Sequence, residues 1–195
     1  MPAMSRVEKA ACRSGPWRAF TRRRVLPWAL QGADLTGDVL EIGAGSGAMA
    51  EELLATTPAR VCITDVDEDM VATAAERLAR FGTRITARQA DATALPFDDA
   101  SFDAVLSWIM LHHTVAWEKA LAEAARVLRP GGLLLGYDLV ATRPMRWLHR
   151  SHDDHRMIGI DELRAEVARL PFRDVAVRPG LGRVVMRFRA TRAAT

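Results

Sequence analysis

VLEIGAGSG, residues 39–47, decides how the rest of this chain is read. An apolar run ends in Glu41, and glycines follow in alternation at Gly43, Gly45 and Gly47. An apolar run bounded by glycines reads as a buried strand entering a tight loop. Glycines in such a loop let backbone amides approach a ligand that a β-carbon would hold off. A helix predicted over 48–56 would offer its free N–H groups to a polar ligand. Gly43, Gly45 and Ala48 also fit the G-x-G-x-x-G/A pattern of dinucleotide-binding loops. By itself the loop points to a nucleotide-like cofactor and no further.

The downstream sequence narrows the reading. The next apolar run, 60–64, ends at Asp65, close to 20 residues past the loop, where a carboxylate suits a ribose diol. Two more segments follow: ADATALPFDDASFD within 90–103, and RVLRPGG from Arg126. With VLEIGAGSG and TDVDEDM these make four ordered motifs over about residues 36–138. In that combination the chain resembles the class I S-adenosylmethionine-dependent methyltransferases. Within them it is most similar to the branch of the ubiquinone and menaquinone biosynthesis enzymes and many small-molecule methyltransferases. A nicotinamide enzyme has no reason to carry the last two motifs.

The resemblance assigns roles residue by residue. Glu41 would accept from the cofactor ammonium, directly or through water. Gly43, Ala44, Gly45 and Gly47 would shape the loop beneath the methionine and ribose. Asp65 would hold the ribose hydroxyls, and Val66 would lie against the adenine. Asp91 would accept from the adenine exocyclic amine, with the Ala92 amide at the ring. Ser107 and Trp108 would pass close to the sulfonium. Each has a plain alternative: a left-handed turn for a glycine, a cap or turn for an aspartate. Together they imply S-adenosylmethionine as cofactor.

Strands are predicted at 39–42, 60–64, 84–88, 103–108, 132–138, 174–178 and 182–189, and helices at 48–56, 68–81, 116–128 and 161–169. Helix 68–81 carries Met70, Val71, Ala74, Leu78 and Phe81 at helical spacing. Strand–helix alternation predicts an α/β fold with a doubly wound, mostly parallel seven-stranded sheet, which is Rossmann-like. Pro179, Gly180 and Gly182 turn the final hairpin, whose antiparallel sense is implied by the resemblance. Pro130, Gly131 and Gly132 read as the stop of the preceding helix. Asp138 either faces substrate or caps the segment after its strand. Residues 1–30 form a predicted N-terminal helical segment, broken at Pro16 and Pro27, and 31–195 the methyltransferase domain.

The length of 195 residues suits one domain with a small appendage. At 49% hydrophobic and 26% charged, the composition is that of a globular protein without a membrane span. The N-terminus lacks the apolar core of a secretory signal. Cys12 and Cys62 are too few for a disulfide framework, so a cytoplasmic location is expected. The net charge of +3 is unevenly spread: +6 over residues 1–30, −8 over 31–174 and +5 over 175–195. No nucleic-acid motif accompanies the basic ends, and no nucleic-acid partner is expected. Both segments that could cover the sheet, 1–30 and 139–160, are short. A rather open pocket is expected, or one completed by a second copy of the chain in a homodimer.

All five histidines fall in two segments. His112 and His113 follow the fourth strand, where ligands of doubly wound sheets bind. Either is a candidate general base for a hydroxyl acceptor, which favours oxygen as the methylated atom; local packing is the alternative. His149, His152, Asp153, Asp154 and His155 include the donor types of a zinc or iron site. They also make a solvated face beside Arg146, Arg150 and Arg156, and no metal is expected. The function expected is methyl transfer to a small-molecule substrate. Its competitors are a non-methylating reaction on the same pocket, such as decarboxylation or cyclisation, and a non-catalytic cofactor-binding subunit.

Overall fold

The computed structural model describes residues 21–141, 156–180 and 183–194. The stretches 1–20 and 142–155, with His149, His152 and His155 and most of the N-terminal segment, lie outside the described residues. Seven strands form one sheet: β1 (Asp38–Ile42), β2 (Arg60–Asp65), β3 (Ile85–Gln89), β4 (Phe102–Trp108), β5 (Leu128–Leu139), β6 (Phe172–Gly180) and β7 (Val185–Arg192). Their order is β3-β2-β1-β4-β5-β7-β6. The first five run parallel, and β7 is antiparallel to both β5 and β6. The order reverses between β1 and β4, and in open α/β sheets ligands bind outside the carboxyl ends of the strands at such a reversal.

Helices cover both faces. On one lie α1 (Leu26–Leu30), α2 (Ala48–Thr56) and α3 (Glu68–Leu78), packed on Val39, Val61, Ile63, Leu106 and Leu135. On the other lie α4 (Trp117–Val127) and α5 (Ile160–Arg169), packed on Leu40, Ile42, Val105, Leu134 and Phe188. Alternation along each strand supplies both faces from a continuous apolar run, as a sheet buried on both sides requires. α4 buries Trp117, Ala120, Leu121, Ala124 and Val127, the three-and-four spacing of an amphipathic helix. Asp67 starts α3 by accepting the N–H groups of Asp69 and Met70.

Two predicted boundaries are corrected. The helix expected to run to residue 81 ends at Leu78, and a tighter turn, Ala79–Arg84, carries the chain to β3. The reason is Gly82, whose φ of +58° with ψ of −127° no helix accommodates. Pro130, Gly131 and Gly132 do not stop a helix, because α4 has already ended at Val127. They lie inside β5, where the ladder to β4 shifts register: Phe102 faces Leu128 while Ala104 faces Leu133. That irregularity absorbs a residue that lacks an N–H and two that favour bends.

The C-terminal arginines mostly serve the fold. Arg187 and Arg189 donate to the carbonyls of Trp28 and Gln31 at the end of α1, and Arg192 to that of Ala125 near the end of α4. Cations at helix C-termini satisfy orphan carbonyls and complement the dipole. At the opposite end of the sheet from the β1–α2 loop, Arg129 bridges Asp38 and Asp103, and Asp103 accepts the Asp38 N–H at 2.8 Å.

Candidate functional site

At the carboxyl edge of the sheet the registers set one row of side chains. Ile42 faces Thr64 and Ser107, and Trp108 faces Tyr137. One residue further along come Asp65, Trp108 and Tyr137, with Trp108 and Tyr137 in the core on the α1–α3 face. Glu41 lies on the same face one step below, beside Ile63 and Leu106. A buried carboxylate one step before Gly43, flanked by strands that end in an acid and two aromatics, is what the four strand ends build together.

The glycine loop is held from below and open above. The Ala44 N–H donates to the Thr64 carbonyl, and the Gly45 N–H to Asp65 Oδ2 at 2.8 Å. Asp65 Oδ1 accepts the Asp67 N–H at 3.0 Å, so one carboxylate ties the loop to the start of α3. Each carboxylate oxygen keeps a second acceptor site. At Gly45, with φ of +53°, a β-carbon would meet nothing within 4 Å. That open side is where a ligand can approach the backbone.

Glu41 is 2% exposed, and its Oε2 has no hydrogen-bond partner. Burial pushes its carboxyl up to about 8. A buried polar atom without a partner is costly, and a cationic ligand donor would relieve it. Tyr137 feels the same surroundings: burial first, then the charges of Glu41 and Asp138, push its phenol above the usual range. Its ring is 5.5 Å from that of Trp108 and 5.5 Å from Trp28, which meets it edge-on.

The remaining predicted residues separate. Val66, just past Asp65, is 47% exposed, and its carbonyl accepts from Gln89. Asp91 is exposed and turns inward, with Oδ1 accepting both the backbone N–H and the hydroxyl of Thr93 at 2.8 Å. Ala92 follows it in that turn. The chain there stays close to Asp65 through a bond from Ala90 N–H to the Asp65 carbonyl. Ser107 alternates onto the α4–α5 face, away from Glu41, and its buried Oγ has no partner. Trp108, by contrast, shares the face of Glu41.

His112 and His113 sit in a tight turn, Leu111–His113, after β4. His112 is 2% exposed; its Nδ1 makes a short hydrogen bond with Asp138 Oδ1, and its N–H donates to Asp138 Oδ2. Asp138 also accepts the Leu139 N–H at 2.7 Å, so one carboxylate braces the end of β5 while holding the turn after β4. The two imidazoles stack with centroids 3.9 Å apart, and His113 is the more exposed. Among the described residues no group of three or more His, Cys, Asp or Glu is arranged to hold a metal ion.

Sequence reasoning did not place Trp28, Met110 or Tyr137 at this edge. The position of Tyr137 next to Asp138 at a strand end was the available signal. Trp28 and Met110 arrive only by tertiary packing.

Comparison with known proteins bears on the family and the fold. A family model described as a methyltransferase domain matches residues 39–132. The demethylmenaquinone methyltransferase of Clavibacter sepedonicus is 37% identical over 137 residues, 70% of this chain and 52% of that protein. The ubiquinone/menaquinone biosynthesis C-methyltransferase UbiE of Geobacter sp. (strain M21) is 34% identical over 123 residues, 61% of this chain and 50% of that one. The chain thus spans about half the length of these curated relatives. Among solved structures, the [4+2]-cyclase SpnF superposes with a TM-score of 0.80 at 18% identity, over 94% of this chain and 85% of that one. Ordered motifs, sheet order and sequence relatives converge: residues 39–132 match a methyltransferase domain, and the chain is similar to the demethylmenaquinone and ubiquinone/menaquinone methyltransferases.

Proposed function

We propose that this protein is an S-adenosylmethionine-dependent methyltransferase acting on a small-molecule acceptor. The observation that carries the reading is the partnerless, buried Glu41 Oε2 just before the glycine loop, on a strand flanked by β2, which ends at Asp65, and β4, which ends at Trp108. When bound, S-adenosylmethionine supplies a methyl already activated on a sulfonium, so the chain has to bind, align and exclude water. Glu41 accepts from the ammonium. Asp65 offers its second acceptor sites to the ribose hydroxyls while its first sites brace the loop. Gly43, Ala44, Gly45 and Gly47 keep the backbone low enough for close approach. Exposed Val66 gives the adenine an apolar face. Asp91, with Oδ1 committed to Thr93, presents Oδ2 to the exocyclic amine beside the Ala92 amide. Trp108 turns an aromatic face toward the sulfonium, a favourable environment for a cation.

Of the two histidines, His113 is the better base. His112 is committed to Asp138 and buried, whereas His113 keeps solvent access at the same turn. The histidines favour an oxygen acceptor, but the relative named a C-methyltransferase supports carbon instead. A base that removes an acidic proton serves either atom.

The fold is shared with a protein titled a cyclase, and fold alone does not fix the reaction. The deciding experiment is calorimetric titration with S-adenosylhomocysteine, followed by turnover on a metabolite panel. Methyl transfer requires S-adenosylhomocysteine to accumulate one-for-one with a product heavier by one methylene. Product without it would establish the non-methylating alternative, and no affinity for either cofactor form would overturn the reading.

A further inference from the structure

Arginines in this chain mostly stand beside acids. Arg60 meets Asp38, Arg80 meets Glu51, Arg156 meets Glu118 and Glu162, and Arg173, near the start of β6, meets Asp174. The other end of the same strand departs from this. Arg178 of β6 lies directly opposite Arg187 of β7, and like charges in cross-strand register repel. Among the described residues Arg178, which is exposed, has no hydrogen-bond or ion-pair partner. Arg187 has only Trp28: one Nη donates to its carbonyl at 3.2 Å, and the guanidinium lies 5.5 Å from its ring centroid.

Register and contacts fix where the pair points. Tyr137 faces Trp108 on one side and Arg187 on the other, so Trp108, Tyr137, Arg187 and Arg178 form one row across β4, β5, β7 and β6. Paired residues of adjacent strands share a face, here the one that α1 covers. Trp28 of α1 fixes that face, because its ring meets Tyr137 edge-on and also lies over Gly180, two residues beyond Arg178. No acid stands close enough to neutralise the pair from its own elements. The α1 helix, β7 and residues 175–180 of β6 contain none, and Asp138 of β5 is bound to His112 on the opposite face. The guanidinium fork of Arg187 keeps four of its five donors, and that of Arg178 keeps all five.

We infer that Arg178 and Arg187 form a second binding site, a clamp for a phosphate group on the α1 face of the β6–β7 hairpin. A phosphate monoester carries close to two negative charges, enough to cancel the repulsion of the pair. Its oxygens accept from both guanidinium forks at once, the geometry for which arginine is suited. With neighbouring strands about 4.8 Å apart, the clamp begins about 10 Å along the row from Trp108. The inference goes beyond the methyltransferase reading and does not depend on it, since neither arginine is assigned to the cofactor. The recognising chemistry is the same for a soluble phosphate monoester and for a lipid headgroup, and the test separates the two.

The full chain is titrated at low ionic strength with phenyl phosphate in one arm. In the other it meets phosphatidylcholine vesicles containing phosphatidic acid. Wild type binds in at least one arm: phenyl phosphate binding identifies a soluble ligand, and binding to vesicles alone identifies a headgroup. Arg178→Glu turns the like-charge pair into an opposite-charge pair, so it melts no lower than wild type. It leaves S-adenosylhomocysteine affinity as in wild type and weakens phosphate binding about tenfold or more. Arg169→Glu makes the same charge change on α5, where the side chain is 77% exposed, and keeps phosphate binding. Four results overturn the inference: a wild type that binds in neither arm, an Arg178→Glu that binds as well as wild type, an Arg178→Glu that melts well below it, or an Arg169→Glu that loses as much. None of these touches the methyltransferase reading, which fails only where S-adenosylhomocysteine itself does not bind.

Discussion

The side chain of Met110 stands where a β-carbon on Gly43 would be, 2.0 Å from its Cγ. Gly43 follows β1 and Met110 follows β4, so this contact locks the glycine loop to the turn that carries the histidines. The lock requires glycine twice over, for the space and for a φ of +63°.

Gly43→Ala should therefore cost about 1–3 kcal/mol of stability, because Met110 must leave and the backbone is strained. Gly45→Ala offers the contrast. Nothing stands within 4 Å of its β-carbon, so only the strain of φ +53° remains, on the order of 1 kcal/mol. Its added methyl points to the open side of the loop and should weaken cofactor binding more than it weakens the fold. Thermal melts beside calorimetric titrations of both variants separate the two effects.

Glu41 couples binding to pH. Burial raises its carboxyl from an ordinary 4.5 to about 8, so between those values the folded state holds a proton the unfolded chain has lost. The stability it contributes is complete below pH 4.5 and is lost as pH rises through about 8. A cationic partner reverses the preference, so cofactor binding releases a proton and affinity climbs with pH toward that value. Titration in buffers of different ionisation enthalpy would reveal the proton. Glu41→Gln should remove it, flatten the pH dependence of the melting temperature and lower cofactor affinity.

Asp65→Ala removes the acceptor for the Gly45 and Asp67 N–H groups together with the acceptor proposed for the ribose hydroxyls. Cofactor affinity should fall by about 1–3 kcal/mol. Asp65→Asn keeps an oxygen for one of the two N–H donors and should lose less. Equal affinity in wild type and Asp65→Ala would remove this residue from the site.

The two histidines should respond differently. Asp138→Ala removes the carboxylate that the buried His112 Nδ1 and N–H both bond, and should destabilise the fold by on the order of 3 kcal/mol. His113→Ala should leave the melting temperature near wild type and lower kcat, with cofactor affinity unchanged. An unaltered kcat, once a turnover assay exists, would return His113 to a packing role.

Much of the fold was legible because strands and helices announce themselves locally. An apolar run broken by glycines marked β1, one ending at Asp65 marked β2, and helical spacing marked α3 to within a few residues. The misses have local causes of another kind. The helix expected to reach residue 81 stops early because Gly82 takes a conformation that its neighbours do not signal. The Pro130–Gly132 stop was misplaced because a bulge against β4, formed by a strand far away in sequence, accommodates it. The acids at the strand ends were readable by type and spacing, yet nothing in the order of residues said that Ser107 would alternate away from Glu41 onto the opposite face.

By itself the amino-acid sequence determined the α/β alternation, the glycine loop and the acids at the ends of β1 and β2, because periodicity and turn chemistry act over a few residues. Only the tertiary structure decided which side chains meet around the strand ends. Met110 packs on Gly43 and Trp28 on Tyr137 through register and packing, and Asp138 finds His112 across 26 residues of chain, because such contacts join segments far apart in the sequence.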